Sequence, residues 1–299
     1  MSATALADQG MNPFSPTFTD EELLREPFGT SIYEPDHVVG ESGRRYHGYK
    51  EGSYLLPNDE AEQDRLDFQH AMMTLILGGK LTMAPIVDVP KKVMDANPGS
   101  YVIGTDLSKI QPEPDVPNCH FEKDDCEETW LWDPTFDYIH IRQIVTGIRD
   151  PKRLFRQVYD HLVPGAGSRS RTAPWSSMGW ASKVRDYSHI RKWFDFCAAG
   201  ATAKGFDVRK AKNYESWLQE IGFTEIQAHR FEVPCSPWPR NAQAAQIGAY
   251  QQRNMHDGLR GVSYLLLRNA GMAPAEIEDF VQATKRELRE GHVRGYSYL

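Results

Sequence analysis

The sequence lacks several features that would assign it to a common protein class at once. Its 299 residues include no apolar run long enough to span a bilayer, and the N-terminal stretch has neither the basic start nor the apolar segment of a secretory signal. The 4 cysteines form no C-x-x-C pair, so neither a zinc ribbon nor a disulfide framework is indicated. We therefore predict reduced thiols, no metal site and no membrane partner.

An excess of positive charge is also missing, since the net charge is -7. Binding to nucleic acid without regard to sequence requires a basic surface, so the composition argues against a nucleic-acid partner. Hydrophobic residues make up 40% of the chain and charged residues 25%, which is typical of a globular protein. Together these properties predict a cytoplasmic or nuclear protein.

Residues 1–45 differ in character from the rest of the chain. They are polar, with scattered proline and glycine, and we interpret them as a flexible N-terminal arm. The length suits one large domain or two small ones, and we predict a single domain over residues 46–299.

Two short strands that end in acids organise residues 100–125. An apolar run over residues 101–104 stops at Asp106, and a second strand over 119–122 runs into Asp124 and Asp125. Ligands of parallel sheets bind outside the carboxyl ends of the strands, where an acid commonly accepts hydrogen bonds from a ribose. The pattern predicts a nucleoside site, with one acid for the ribose and one for the adenine amino group. The alternative, that these acids only cap the next helices, stays open.

A helix precedes these strands in the chain. Asn58 or Asp59 is its predicted cap, and Gly78 and Gly79 are predicted to end it. A helix in this place often covers the open end of a nucleotide site, and four side chains are candidates to line that end: Tyr46, Tyr54, Gln69 and His70. The same spacing is also typical of side chains that face the core.

The first strand of the expected sheet, at residues 91–95, is followed by an unusually short connection. Residues 96–100 contain one glycine and lead directly into the next strand, although a parallel crossover needs about a dozen residues and usually a helix. Either Val93 does not begin the sheet, or the unit lacks its glycine loop and helix.

The rest of the chain alternates helical and strand-like patterns. Residues 136–142 alternate as a strand that ends with His140 and Arg142. Residues 166–181 show no such pattern and are interpreted as a loop or a disordered insert. The other predicted elements are helices over 151–162, which begins at Asp150 or Pro151, over 187–201, over 214–221, which Gly222 ends, over 242–270 with a break at 258–261, and over 274–290. Strands are predicted over 223–233 and 292–299.

Several phrases of the sequence resemble the fungal LaeA-like, or UMTA-type, class I methyltransferases, which use S-adenosyl-L-methionine. The phrases cover most of the chain from Tyr46 onward: YHGYKEGSYLLPNDEAEQDRLDFQH, APIVDVP, VIGTDLSKIQP, PNCHFEKDDCEETW, FDYIHIRQ, LFRQVYDHLVPG, WLQEIGFTEI and PWPRNAQAAQIGAY. The resemblance implies an α/β fold, namely a Rossmann-like class I methyltransferase sheet with helices on both faces and an antiparallel last strand.

The same resemblance implies a cofactor site and a catalytic candidate. Asp106 is implied at the ribose of S-adenosyl-L-methionine, and Asp125 at the adenine. His140 could accept a proton from a hydroxyl or amine acceptor, or could be a structural histidine at a strand end. The implied cofactor-binding residues are Asp106, Asp124, Asp125, Tyr46 and Gln111.

The sequence departs from the family pattern in three places. The glycine-rich loop after the first strand is absent, a serine- and arginine-rich segment replaces an expected strand, and the final strand ends at Leu299. The predicted sheet is therefore incomplete, and we expect cofactor binding to be impaired. A fault in the gene model and a real loss of function both account for the first two departures, so activity as an enzyme stays open.

Three functions are compatible with these observations. The first is an S-adenosyl-L-methionine-dependent methyltransferase that acts on a small molecule in fungal secondary metabolism. The second is a catalytically inactive homologue that works as a regulatory or interaction protein through a protein partner. The third, a nicotinamide-dependent dehydrogenase, is disfavoured because neither its glycine fingerprint nor a catalytic Tyr–Lys pair is evident.

Overall fold

The computed structural model of the chain describes a mixed α/β arrangement. The described residues are 37–49, 54–80, 83, 92–94, 101–108, 110–111, 119–131, 136–142, 146–162, 188–290 and 293–298. Their strands are β1 (His37–Val39), β2 (Arg45–His47), β3 (Lys92–Met94), β4 (Tyr101–Asp106), β5 (Cys119–Lys123), β6 (Tyr138–Ile139), β7 (Glu232–Pro234) and β8 (Tyr296–Tyr298). Their α-helices are α1 (Glu60–Ile76), α2 (Pro151–His161), α3 (His189–Ala203), α4 (Tyr214–Ile221), α5 (Ala242–Asn269) and α6 (Pro274–Arg289).

A parallel sheet with the strand order β5-β4-β3-β6 carries the strand ends that matter for function. Val93 pairs with Val102 of β4 and with Tyr138 of β6, so Val93 does belong to the sheet, and the interpretation that it does not begin the sheet is wrong. The connection between β3 and β4, residues 95–100, lies outside the described residues. Its length is well below the dozen or so residues of a usual parallel crossover.

Local signals in the sequence correctly predict where several helices begin and end. The Asp59 side chain caps α1 by accepting a hydrogen bond from the Glu62 N–H at 3.2 Å. Asp150 caps α2 in the same way, at 3.0 Å from the Arg153 N–H. Gly222 ends α4 with a φ of 118°, a left-handed conformation that favours glycine.

The predicted break at residues 258–261 is wrong, because α5 is continuous from Ala242 to Asn269. A Cβ atom at Gly258 would lie 2.7 Å from Cδ of Arg65, and one at Gly261 would overlap the guanidinium of Arg44. The two glycines therefore make room for arginines that approach from elsewhere in the chain. Their small size serves packing, and the helix continues through them.

The predicted strand over residues 223–233 is too long. Only β7 is a strand, and it pairs antiparallel with β8, from Glu232 opposite Tyr298 to Pro234 opposite Tyr296. The alternation of the preceding residues has no partner strand within the described part of the chain, so it forms no ladder. The final strand is antiparallel to its neighbour, but within the described residues β7 and β8 form a two-stranded sheet separate from the parallel one. The predicted insert at residues 166–181 lies outside the described residues.

Two hydrophobic clusters hold these elements together. One joins α3, α5 and α6, with Trp193, Leu259 and Val281 fully or almost fully buried. The other packs α2 on the parallel sheet, where Leu154 and Val158 contact the side of the sheet that carries Ile139. None of the helices in the described ranges is long and apolar enough to cross a membrane.

A hairpin of β1 and β2 joins the predicted N-terminal arm to α1. Nε and Nη2 of Arg44 each lie 2.5 Å from a carboxylate oxygen of Asp59, which also accepts a hydrogen bond from the Arg45 N–H. The predicted domain boundary at residue 45 falls within this hairpin and stays a prediction. Residues 1–36 lie outside the described part.

We expect Asp59→Asn to lower the free energy of unfolding by about 1–2 kcal/mol at neutral pH, because it removes a charge-assisted pair but keeps a capping side chain. Burial alone would raise the pKa of Asp59, but hydrogen bonds from Arg44 and the Arg45 N–H outweigh it and lower that pKa. The stabilisation is thus present above the ordinary pKa of aspartate and is lost as the pH falls through the lowered value.

Urea unfolding of wild type and Asp59→Asn, from neutral pH down through the lowered pKa of Asp59, checks the prediction. Glu60→Gln, at an exposed position of the same helical turn, is the matched control and should change stability by less than about 0.5 kcal/mol. A difference between wild type and Asp59→Asn that persists unchanged in acid would contradict the assigned cause.

Candidate functional site

A cavity of about 390 Å³ lies between α1 and the carboxyl ends of the parallel strands. Its volume falls in the range of small-molecule sites. It is lined by polar and apolar side chains from the β2–α1 region, the loops after β4, β5 and β6, and the turn before α2. The lining residues are His47, Tyr54, Pro57, Asn58, Glu62, Gln63, Leu66, Gln69, His70, Met73, Thr105, Asp106, Leu107, Ser108, Ile110, Asp124, Cys126, Arg142, Gly147 and Ile148.

Asp106 occupies the tip of β4 and contributes its carboxylate to the cavity. The N–H of Ser108 donates to Oδ1 at 2.9 Å, and the Gln111 side chain donates to the same carboxylate. Asp106 is exposed as a residue, yet surrounding protein atoms desolvate its carboxylate and raise its pKa, while these hydrogen bonds act in the opposite direction. Gln111 is thus a partner of Asp106, although it is not among the described residues that line the cavity.

The second acid of the cavity is Asp124, immediately after β5. Its N–H donates to the carbonyl oxygen of Asp106 at 2.9 Å, which fixes the two strand ends side by side. Asp125 turns its Oδ1 to the N–H of Glu127 at 3.0 Å and is not among the described lining residues. Of the two neighbouring acids, Asp124 is therefore the one that faces the cavity.

Tyr54 lines the cavity, together with the carboxylates of Glu62 and Asp106. Burial raises the pKa of its hydroxyl, and the negative charges of Glu62 and Asp106 raise it further. The phenol is therefore protonated at physiological pH and can donate a hydrogen bond. Its ring lies 5.6 Å from the ring of His47, so the two aromatic side chains form one wall.

Two buried polar atoms of the cavity wall have no hydrogen-bond partner within the described residues. They are Nδ1 of His47, a side chain that is 5% exposed, and Oδ1 of Asn58. Asn58 uses its amide nitrogen to bond Ser108 Oγ at 3.1 Å. Burial and the nearby charge of Lys123 lower the pKa of His47, so the imidazole is neutral. Buried polar atoms are nearly always bonded, so these two atoms are exceptions in the wall of the cavity.

A cation lies on the far side of the cavity. Arg142 follows β6, is exposed, and lies with its Nη1 3.1 Å from Nδ1 of His70 on α1. Because a guanidinium only donates, Nδ1 of His70 accepts, and the neutral imidazole then carries its hydrogen on Nε2.

The predicted site residues fall into two groups. Asp106 and Asp124 line the cavity, as do Tyr54, Gln69 and His70. Tyr46, with its hydroxyl bonded to Ser42, and His140, half-buried with its ring 6.2 Å from that of Tyr138, are not among the described lining residues. The roles predicted for these side chains stay predictions.

Sequence reasoning missed the lining residues His47 and Asn58. Successive residues of a strand face opposite sides, so a choice between Tyr46 and His47 requires knowing which face of β2 meets the cavity. The sequence predicts Asn58 only as a helix cap. Arg142 was visible at a strand end, but the sequence did not connect it with His70.

Relatives of the chain among known proteins include the three that follow, while no protein-family model matches it. Methyltransferase pytC of Aspergillus terreus is 32% identical over 275 residues, which cover 87% of this chain and 83% of that protein. The protein-methionine methyltransferase laeA of Emericella nidulans is 27% identical over 292 residues, 91% of this chain and 78% of that protein. The secondary metabolism regulator laeA of Aspergillus fumigatus is 28% identical over 299 residues, 90% and 78% of the two chains.

Proposed function

The chain belongs to the fungal LaeA-like methyltransferase family, and from this premise we propose that it binds S-adenosyl-L-methionine beside Asp106 and methylates a small molecule of fungal secondary metabolism. The single observation that carries the proposal is the pair of adjacent strand ends, where Asp106 and Asp124 both line one cavity. We further propose that the four parallel strands belong to a Rossmann-like sheet, that residues 46–299 form the methyltransferase-like domain, and that the protein works in the cytoplasm or nucleus.

The side chains of the cavity suit this cofactor. The carboxylate of Asp106 would accept hydrogen bonds from the ribose hydroxyls, and Asp124, rather than Asp125, from the adenine amino group. His47 and Asn58 also line the cavity, and both are polar side chains that can pair with hydroxyl and amino groups. The site thus offers acceptors to a ligand that is rich in donors.

The chemistry requires little from the protein beyond alignment. When bound, the cofactor supplies a methyl group already activated by its sulfonium, so the chain has to orient the acceptor and exclude water. A neutral imidazole can accept the proton of a hydroxyl or amine acceptor. His140 is the predicted group, and His47 is a second histidine, one that lines the cavity.

A catalytically inactive homologue that acts through a protein partner is the second candidate. The observation that favours it is the connection of residues 95–100, which is short for a parallel crossover and holds no glycine-rich loop. Each lost backbone hydrogen bond to a charged ligand weakens binding by about 1–3 kcal/mol, so several together would impair cofactor binding by orders of magnitude.

Isothermal titration with S-adenosyl-L-methionine and S-adenosylhomocysteine tests the proposal. We expect binding by the wild type and an increase of Kd by about 10- to 100-fold in Asp106→Asn, because the neutral amide loses charge-assisted hydrogen bonds to the ribose. Asp195→Asn makes the same change on an exposed face of α3 and should leave Kd unchanged.

The outcomes separate the two candidates. Absence of heat and of any thermal shift at millimolar ligand would reject the cofactor site. Binding with transfer of the methyl group to any acceptor by the purified chain would reject the inactive homologue, whereas binding without transfer to a panel of small-molecule and protein acceptors would favour it.

A further inference from the structure

The order of the strands determines where the charged side chains lie along the cavity. Asp124 follows β5, Asp106 ends β4, and Arg142 follows β6, with β3 between the last two. Neighbouring strands are about 4.8 Å apart, so the ends of β4 and β6 are separated by roughly 10 Å. A ligand with its ribose at Asp106 would therefore have to cross the end of β3 to reach Arg142.

The charges of the lining residues also differ along this direction. Asp106 and Asp124 are acids, whereas Arg142 is the one lysine or arginine among the described lining residues. Arg142 forms no ion pair within the described part of the chain, and its Nη1 lies 3.1 Å from Nδ1 of His70. A guanidinium in this position favours a ligand group with a negative charge.

We propose that Arg142, oriented by His70, binds the α-carboxylate of the methionine part of S-adenosyl-L-methionine. This inference rests on the proposed function. The methionine part of the cofactor joins the ribose, placed at Asp106, to the α-carboxylate, placed at Arg142. The carboxylate matches the planar fork of the guanidinium.

The proposal also explains how the chain can hold the amino-acid end of the cofactor without a glycine-rich loop. Residues 95–100 contain one glycine and follow β3, the strand between the two ends of the bound ligand. Arg142, which follows the neighbouring strand β6, supplies the attraction that backbone N–H groups of such a loop would otherwise provide. His70 acts as a positioning residue, because its Nδ1 accepts from Nη1 of Arg142 at 3.1 Å.

The experiment compares two ligands that differ in the amino-acid part. S-adenosylhomocysteine carries the carboxylate, and 5′-methylthioadenosine does not, while both carry adenine, ribose and a thioether. Isothermal titration of wild type should give tighter binding of S-adenosylhomocysteine. In Arg142→Ala we expect its Kd to rise about tenfold, toward the Kd of 5′-methylthioadenosine, which itself should change less than about twofold.

Two further variants complete the test. Arg142→Lys should recover part of the affinity for S-adenosylhomocysteine, because it keeps the charge but loses the fork. Lys204→Ala removes a positive charge from an exposed position outside the lining of the cavity and should change neither Kd.

Each result decides a different question. Loss of affinity for S-adenosylhomocysteine alone supports the carboxylate site. If Arg142→Ala weakens both ligands equally, or neither, the inference is overturned while the proposed cofactor site stands. If the wild type binds neither ligand, the proposed function and this inference fall together.

Discussion

Gly200→Ala is expected to lower the free energy of unfolding by about 2–3 kcal/mol, although alanine is the better helix former. Gly200 lies in α3 at its crossing with α5, and a Cβ atom there would overlap the backbone carbonyl of Leu266. Backbone cannot rotate away as a side chain can, so the helices would have to separate and lose contacts in the main cluster. The gain in helix propensity, about 1 kcal/mol, offsets only part of this loss.

Urea denaturation measures the effect, and the neighbouring residue supplies a matched control. Ala199 is exposed on the same helix, so Ala199→Gly reports the helix-propensity difference alone, about 1 kcal/mol of destabilisation. Steric overlap at position 200 predicts that both substitutions destabilise the protein, although one replaces glycine by alanine and the other alanine by glycine. If Gly200→Ala were instead stabilising by the amount that Ala199→Gly costs, the close approach of α3 and α5 would be wrong.

The features that the sequence predicts correctly are those that depend on neighbouring residues. Asp59, Asp150 and Gly222 mark helix ends because capping is a contact within one turn of the chain. The position of Asp106 at a strand end is predictable for a similar reason, since the apolar run before it defines a strand and its end. These predictions required no knowledge of what packs against each element.

The predictions that failed depend on distant parts of the chain. The continuity of α5 at Gly258 is explained by Arg65, which is far away in sequence, and no local pattern reveals that contact. The alternation over residues 223–231 forms no ladder, because a strand exists only where another strand pairs with it. The face of β2 that meets the cavity, and with it the role of His47, is likewise fixed by packing.

Arg65→Met is expected to lower the free energy of unfolding by about 3–5 kcal/mol, because it leaves the buried carboxylate of Glu62 without its counter-charge. Both side chains of the pair are 4% exposed, and Nη2 of Arg65 lies 2.6 Å from Oε1 of Glu62. Arg65 also donates to Asn254 at 2.5 Å, Asn254 to Gln251 at 3.1 Å, and Gln251 to Ser297 at 3.3 Å. The pair thus connects α1 to α5 and the final strand.

Arg191→Met is the matched control for this variant, since Arg191 pairs with Asp195 on one helix but is 40% exposed. Solvent screens such a pair, and its loss should cost no more than about 1 kcal/mol in the same denaturation experiment. A similar cost for the two variants would mean that Glu62 is not as desolvated as its burial indicates.

The double variant Glu62→Gln/Arg65→Met separates the charge from the shape of the pair. If the unbalanced charge causes the loss, neutralising Glu62 should recover about 2 kcal/mol or more of it, because a buried neutral amide is less unfavourable than a buried lone carboxylate. If lost packing around Arg65 causes it, the double variant should be no more stable than Arg65→Met. Since Glu62 also lines the cavity, recovery would show that the charge of Arg65 is what allows a carboxylate to be held at that wall.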